Sequence, residues 1–280
     1  MKIGITGFIR LGDEQYKKMK EYGFDSVDFG MADTDSAYYT LPEEESDALL
    51  LRHKALAEEA GVVINQVHGP WRYPPEDDTE ENRAERFEKM SRSIRMTALL
   101  GCKYWVIHPI MPFGTHDIEI GKEKETWELN LEFFKKLLPV AKEYGATICF
   151  ENMPMLDFSI AKPADILRFV EEMNDENFEV CLDTGHVSVF RELSIGEETR
   201  RLGDRIKVLH VHDNLRTRDH HMLPYFGQMP WDEFITALKD IDYKGVFSLE
   251  TAPPTSLPTH IYDKMCTTLA ELAKWMTREL

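Results

Sequence analysis

The sequence predicts an α/β protein folded as a single (β/α)8 TIM barrel over residues 1–280. Three observations carry that expectation. Short β-branched or aromatic runs alternate eight times with longer amphipathic stretches. Several of those stretches stop at a glycine, where a left-handed residue caps a helix. The glycine-rich first turn of an open doubly wound sheet is missing, because Gly4 and Gly7 in IGITGFIRLGD do not make a GxGxxG before a helix. Strands followed by long helices pair in parallel through right-handed crossovers, and eight such units close a barrel.

The first strand is expected at 2–6 (KIGIT), with a helix at 12–23 that Tyr22-Gly23 ends. SVDF at 26–29 is the second strand, and the helix at 43–60 stops at Ala60-Gly61. VVINQV at 62–67 leads to a helix at 79–100 ending at Leu100-Gly101, and KYWVI at 103–107 to one at 124–145 ending at Tyr144-Gly145. TICF at 147–150, EVCL at 179–182, KVLHV at 207–211 and VFSL at 246–249 precede helices at 163–174, 194–203, 231–241 and 259–278. No linker, low-complexity segment or long charge block divides the chain, so one domain is expected.

Apolar residues make up 42% of the chain and charged ones 30%, enough for a sizeable core and far from a disordered composition. The 33 Lys and Arg against 50 Asp and Glu leave a formal charge of −17. Such a charge repels phosphate backbones and anionic lipids, and no run of Lys or Arg offsets it locally, so neither nucleic acid nor a membrane surface is expected as a partner. The first residues enter a strand without a signal-peptide pattern, and no stretch is apolar enough to span a bilayer, which reads as cytoplasmic. Cys102, Cys149, Cys181 and Cys266 form no CxxC pair and read as core residues. The acidic segment at 76–81 reads as solvated.

In such a barrel the reacting groups stand at the carboxyl ends of the strands. Strand three ends at His68 (QVHGPW), four at His108 (WVIHP), five at Glu151 (ICFEN), six at Asp183 (VCLDTGH), seven at His210 (VLHVHDN) and eight at Glu250 (FSLET). Each alone reads as an ordinary polar residue; six metal-ligand types in succession do not read as chance. Glu151, Asp183, His210 and Glu250 offer three carboxylates and an imidazole to one point, a mostly oxygen set for Mn²⁺, Mg²⁺, Co²⁺ or Zn²⁺. His212 faces the same way as His210, so spacing alone leaves the choice between them open. Asp183 and His186 flank a turn in DTGH that the glycine permits. Asp219, His220 and His221 form a second polar knot, and Trp71 sits in a Pro-rich loop just after His68.

His68-Gly69-Pro70, His108-Pro109, Glu151-Asn152, Asp183-Thr184-Gly185-His186, His210-Val211-His212-Asp213-Asn214, Asp219-His220-His221 with Gly227 and Trp231, and Glu250 together resemble the xylose-isomerase-like TIM-barrel superfamily. That superfamily includes ketose 3-epimerases, sugar-phosphate isomerases and epimerases, inosose dehydratases and metal-dependent apurinic endonucleases, and the likeness spans nearly the whole chain. The resemblance implies His210 as the metal ligand, because an acid, here Asp213, follows three residues on. It also implies that Glu151 and Glu250 hold the metal and exchange protons on opposite faces of a sugar. His186 and Arg216 then contact substrate oxygens, with His68, His108 and Trp71 beside them. Asp157 stands where those epimerases have a second glutamate after strand five. His212, Asp219 and His221 would make a further metal or substrate site.

The expected activity is a divalent-metal-dependent sugar or sugar-phosphate isomerase or epimerase, with manganese ahead of magnesium, cobalt or zinc. A carboxylate removes a proton beside a carbonyl and an enediolate follows. Loss of a hydroxyl instead would make the enzyme a lyase or dehydratase acting on an oxidised sugar, inosose or glycoside. The principal rival from another class is an apurinic endonuclease, since His68, His108, Glu151, Asp183, His186, His210, Asp219, His221 and Glu250 could populate a trinuclear zinc cluster. The charge and the run ENMPMLD after strand five stand against it. Arg72, Arg216 and Arg218 are available to a substrate phosphate. A homo-oligomer or an accessory subunit is compatible with the family.

Overall fold

All eight apolar runs form strands in the computed structural model, which describes residues 1–7 and 9–280. The chain runs β1 (Ile3–Thr6), α1 (Gln15–Tyr22), β2 (Ser26–Gly30), α2 (Ala37–Thr40), α3 (Glu43–Ala60), β3 (Val63–His68), α4 (Glu80–Leu99) and β4 (Tyr104–Ile107). It continues through α5 (Glu123–Glu143), β5 (Thr147–Glu151), α6 (Pro163–Met173), β6 (Phe178–Asp183), α7 (Thr184–Val189), α8 (Ile195–Leu202), β7 (Ile206–His210), α9 (Trp231–Asp240), β8 (Phe247–Leu249) and α10 (Thr259–Met276). The strands pair in parallel in the order β7-β6-β5-β4-β3-β2-β1-β8. Val211 closes the ring between β7 and β8: its N–H donates to Ser248 O at 2.9 Å and its carbonyl accepts from Glu250 N at 3.0 Å. The result is a (β/α)8 barrel, as expected.

Strand residues alternate between two apolar layers. Ile148, Phe150, Phe178, Val180 and Leu182 face outward into the main core beneath the helices, whereas Val106, Cys149, Cys181 and Val208 form a small cluster inside the barrel. The outer layer is dense behind β5 and β6. Phe150 stacks on Phe169 of α6 at 4.8 Å, and Phe134 of α5 meets Phe150 at 4.9 Å and Phe178 at 5.6 Å. Each such aromatic pair adds about 0.5–1.5 kcal/mol beyond burial. Because the inward series continues up each strand, the residue after Cys149 on that face is Glu151, and the one after Cys181 is Asp183.

Gly23, Gly61, Gly101 and Gly145 all have positive φ, as their helix-ending positions require. All four cysteines are buried and free. Among the described residues no helix is long and apolar enough to cross a membrane.

The structure corrects two local expectations. The 76–81 segment is not wholly solvated: Asp77 is 1% exposed, ion-paired with Arg86, and accepts from Met111 N at 2.8 Å. The DTGH stretch is the first turn of α7 rather than a loop, with Asp183 as its cap: Asp183 Oδ1 accepts from His186 N at 2.6 Å.

Candidate metal centre at the barrel mouth

His68, Glu151, Asp183 and His210 are the last residues of β3, β5, β6 and β7, while His108 and Glu250 immediately follow β4 and β8. Ligand atoms of Glu151, Asp183, His210 and Glu250 all lie within 4.8 Å of one another. His210 Nδ1 is 2.7 Å from Glu151 Oε1 and 3.4 Å from Glu250 Oε2. The convergence expected from the strand ends is therefore present, and His210, not His212, joins it.

Two further sets adjoin this one. His108 Nε2 lies 3.0 Å and His68 Nε2 3.6 Å from Glu151 Oε2, so Glu151 is shared. Trp71 meets the His108 ring edge-on at 4.4 Å and closes that side. On the other side His186, His212, Asp219 and His221 gather. His221 Nε2 is 2.8 Å and His186 Nε2 3.3 Å from Asp219 Oδ2, and His212 Nε2 is 3.0 Å from Asp183 Oδ2. The 219–221 knot thus turns Asp219 and His221 into the mouth. His221 holds φ 45, a conformation that costs a non-glycine residue about 1–3 kcal/mol and often marks a functional site.

Several residues fix these positions without belonging to a ligand set. Asn152 clamps Asp183, donating to its carbonyl at 3.0 Å and accepting from its N–H at 2.8 Å, while Asn152 O lies 2.6 Å from His186 Nδ1. The carboxylate of Asp213 accepts from the backbone of Asn214, Gly227 and Met229 and from Trp231 Nε1 at 2.8–3.2 Å, which folds the segment carrying Asp219 and His221. Gly185 owes its place to close approach: a Cβ there would lie 1.9 Å from His212 Cε1. Asp28, on β2, puts Oδ2 2.9 Å from His210 Nε2 and accepts from Gln66 Nε2 at 3.2 Å. Asp28, Gln66, the clamp of Asn152 and the bonds of Asp213 are not legible in the sequence. An acid within the otherwise apolar run SVDFG was the one signal for Asp28.

Two expected substrate contacts have partners outside these sets. Arg216 donates through Nη2 to Arg191 O at 2.8 Å, and Asp157 sits 3.6 Å from the exposed His116. Both belong to loops whose course the βα pattern does not dictate. Arg72 is likewise engaged, by Glu76 at 3.3 Å and Glu85 at 3.5 Å.

Burial and charge pull these groups in opposite directions. Burial disfavours charge on Glu151, but His210 and His108 outweigh it and hold the carboxyl well below its usual range. Burial dominates at Glu250, with Glu151 adding repulsion, and pushes it up to about 7 although 20% of its side-chain surface reaches solvent. Burial also dominates at His108, which falls to about 4 and is neutral. At His186 burial opposes charge, yet Asp183 and Asp219 raise it to about 10; at His221 Asp219 and Glu250 do the same, again to about 10.

The donor set suits a divalent cation. Glu151 Oε2, Glu250 Oε2 and Asp219 Oδ1 are buried oxygens without a hydrogen-bond partner. Leaving such an atom unsatisfied costs about 1–3 kcal/mol, more for a charged group. Carboxylate and imidazole together match Mn²⁺, Co²⁺ or Zn²⁺, with Mg²⁺ tolerated. Cys181 approaches Glu151 and His210, but burial pushes its thiol well above the usual value, so it offers no thiolate.

Comparison with known proteins agrees with the fold. A D-psicose 3-epimerase of Ruminiclostridium cellulolyticum is 27% identical over 241 residues, covering 84% of this chain and 76% of the relative. An uncharacterized protein of Methanocaldococcus jannaschii is 25% identical over 257 residues, covering 89% and 83%. The structure of D-psicose 3-epimerase with D-tagatose from Clostridium cellulolyticum H10 matches with a TM-score of 0.77 at 20% identity, covering 99% of each chain, which is a likeness of fold. The family model described as xylose isomerase-like TIM barrel matches residues 16–276, and the chain belongs to that family.

Proposed function

We propose that this protein is a metal-dependent epimerase or isomerase of a ketose or ketose phosphate. The observation that carries the reading is the convergence of Glu151 and Glu250 on His210 Nδ1, at 2.7 and 3.4 Å. Glu151, Asp183, His210 and Glu250 would hold the cation, Mn²⁺ foremost. When bound, the cation supplies electrophilic pull on a substrate carbonyl and its neighbouring hydroxyl, making the adjacent C–H acidic.

The protein's own groups then divide the work. One glutamate accepts the proton on one face of the sugar, and the other returns a proton from the opposite face, which inverts the centre. Return to the adjacent carbon gives an isomer instead. His108, neutral because burial holds it near 4, offers an uncharged imidazole to a substrate oxygen. His186, held charged by Asp183 and Asp219, offers a donor that stabilises developing negative charge. Trp71, partly buried against His108, presents an aromatic wall that shields the reacting face. The relatedness to a D-psicose 3-epimerase supports a ketose as the substrate class.

Incubation with a panel of ketoses and ketose phosphates in deuterated water, with Mn²⁺ added, is expected to place deuterium on the carbon next to the carbonyl of one of them. Absence of exchange at every sugar carbon with every divalent metal overturns the reading. Loss of a hydroxyl in the same assay identifies a lyase.

A second reading rests on a separate observation: three adjoining ligand sets, which resemble the trinuclear centre of apurinic endonucleases. The charge of −17 opposes binding of a phosphate backbone. A metal content near three per chain together with cleavage of abasic DNA would establish it.

A further inference from the structure

Asp28 is an acid in the barrel interior that no ligand set includes. It is 3% exposed, and its Oδ2 faces the nitrogen of His210 that points away from Glu151 and Glu250, at 2.9 Å. Gln66 Nε2 holds that same oxygen at 3.2 Å and also reaches Leu209 O, the carbonyl just before His210, at 3.2 Å. The ring is further confined by parallel stacking on His68, with centroids 5.6 Å apart and planes 7° from parallel. His210 is therefore held between one carboxylate behind it and two before it. A neutral imidazole carries one N–H and one lone pair, so the side that keeps the N–H decides which side can ligate.

We infer that Asp28 is a positioning residue: it holds the N–H of His210 on Nε2 and so presents the Nδ1 lone pair to the cation site formed with Glu151, Asp183 and Glu250. The inference rests on the metal reading above and concerns the tautomer and orientation of one ligand. Asp28 stays outside the coordination set because it lies behind the ring, at the Nε2 side. Gln66 keeps the carboxylate aimed by tying it to the backbone of the strand that carries His210. The approach of Nε2 to Asp28 lies off the ideal hydrogen-bond line, so its strength comes from the carboxylate charge, which an amide would not replace.

The test measures Mn²⁺ and Zn²⁺ affinity by chelator competition for the parent protein, Asp28→Asn and Asp28→Ala, with ¹⁵N shifts of the His210 ring in the metal-free and Zn²⁺-loaded forms. The expected result is a loss of about 10–100-fold in metal affinity, as for other partners of ligating histidines, with the larger loss in Asp28→Ala. In the parent the proton is expected on Nε2 with Zn²⁺ bound. Affinities within twofold of the parent in both variants, or a proton on Nδ1 in the parent, overturn the inference while leaving the metal reading intact. If the parent binds neither ion, the metal reading falls and this inference falls with it. Should Asp28→Ala fail to fold, Asp28→Asn and the parent ¹⁵N signature decide the question.

Discussion

Glu179 and Glu151 are buried glutamates that face the barrel interior from adjacent strands, and their surroundings separate its two ends. Glu179, near the start of β6, is 6% exposed and is answered by Arg205 at 3.3 Å and Lys207 at 3.8 Å. Glu151, at the end of β5, is 1% exposed and is answered by imidazoles, with Asp183 and Glu250 alongside. The first carboxylate has permanent cations, and its charge balance is complete within the chain. The second depends on titratable partners, so its balance changes with protons or with a bound cation. A cavity of about 750 Å³ opens at the Glu179 end, lined in part by Lys103, Lys207 and Tyr104, but has no comparable set of ligands. The chemistry of this barrel follows the strand ends.

If this contrast is right, neutralising a glutamate at the mouth abolishes turnover without unfolding the protein. Glu151→Gln and Glu250→Gln are each expected to lower kcat by about 10²–10⁴-fold, the range for loss of a positioned acid or base. Steady-state rates and deuterium exchange on the ketose that exchanges in the panel assay, beside circular dichroism, measure this. Activity within threefold of the parent in either variant would break the comparison.

The next effect is on pH and metal together. The usual histidine value of 6.5 is raised to about 10 at His186 and His221, so the metal-free protein has their full stabilisation below pH 6.5 and loses it as pH climbs towards 10. Glu250, raised from 4.5 to about 7, acts in the same direction, its contribution fading between those values. A cation held by Glu151, Asp183, His210 and Glu250 needs His210 neutral and Glu250 charged, and both are shifted towards their protonated forms, so its binding displaces protons and strengthens as pH rises. Each proton displaced makes binding about tenfold tighter per pH unit, roughly 1.4 kcal/mol. The difference in Tm between Mn²⁺-loaded and chelated protein should therefore widen from acidic to mildly alkaline buffer, as scanning calorimetry would record. A difference that narrows would show that the imidazoles are not the groups displaced.

The parts of this site legible in the sequence are those that depend only on strand alternation. His68, Glu151, Asp183 and His210 end strands, and an inward apolar series fixes where each points. Asp28 was hidden because it lies within a strand, where an acid is indistinguishable from a polar residue on a solvated face until the barrel closes around it. Asn152 was visible in the ENM run, but its clamp on Asp183 joins two strands through backbone atoms, which residue type does not encode. The partners of Arg216 and Asp157 were not legible for the opposite reason: family correspondence fixes a position in the chain, while loop hydrogen bonds fix where the side chain goes. Gly185 carried its signal for a different cause, since the glycine serves the His212 ring rather than a turn.

That ring contact gives a prediction within the mouth itself. Gly185→Ala would bring a Cβ to 1.9 Å from Cε1 of the buried His212 ring, on which His221 stacks at 4.2 Å and which His186 meets edge-on at 5.9 Å. Overpacking of this kind costs about 1–3 kcal/mol. The displaced His212 should loosen the set with His186, Asp219 and His221 while the set around Glu151 and His210 is kept. Metal titration is expected to retain the tightest site and lose a weaker one if one exists; loss of the tightest site would mean that the sets act as one unit.

The smallest effect belongs to the other end. Replacing Glu179 with Gln removes a charge whose partners, Arg205 and Lys207, keep 34% and 31% of their side-chain surface in solvent. Both cations can turn outward and recover hydration, so the expected loss is about 1 kcal/mol or less. Burial already opposes the charge on Glu179 and raises its pKa, so neutralising it also relieves a desolvation cost. Metal affinity and turnover should be unchanged, because the apolar layer of Val106, Cys149, Cys181 and Val208 lies between this pair and the mouth. A drop in metal affinity in Glu179→Gln, with Tm held, would mean that charge is felt through that layer and that the two ends are electrostatically coupled.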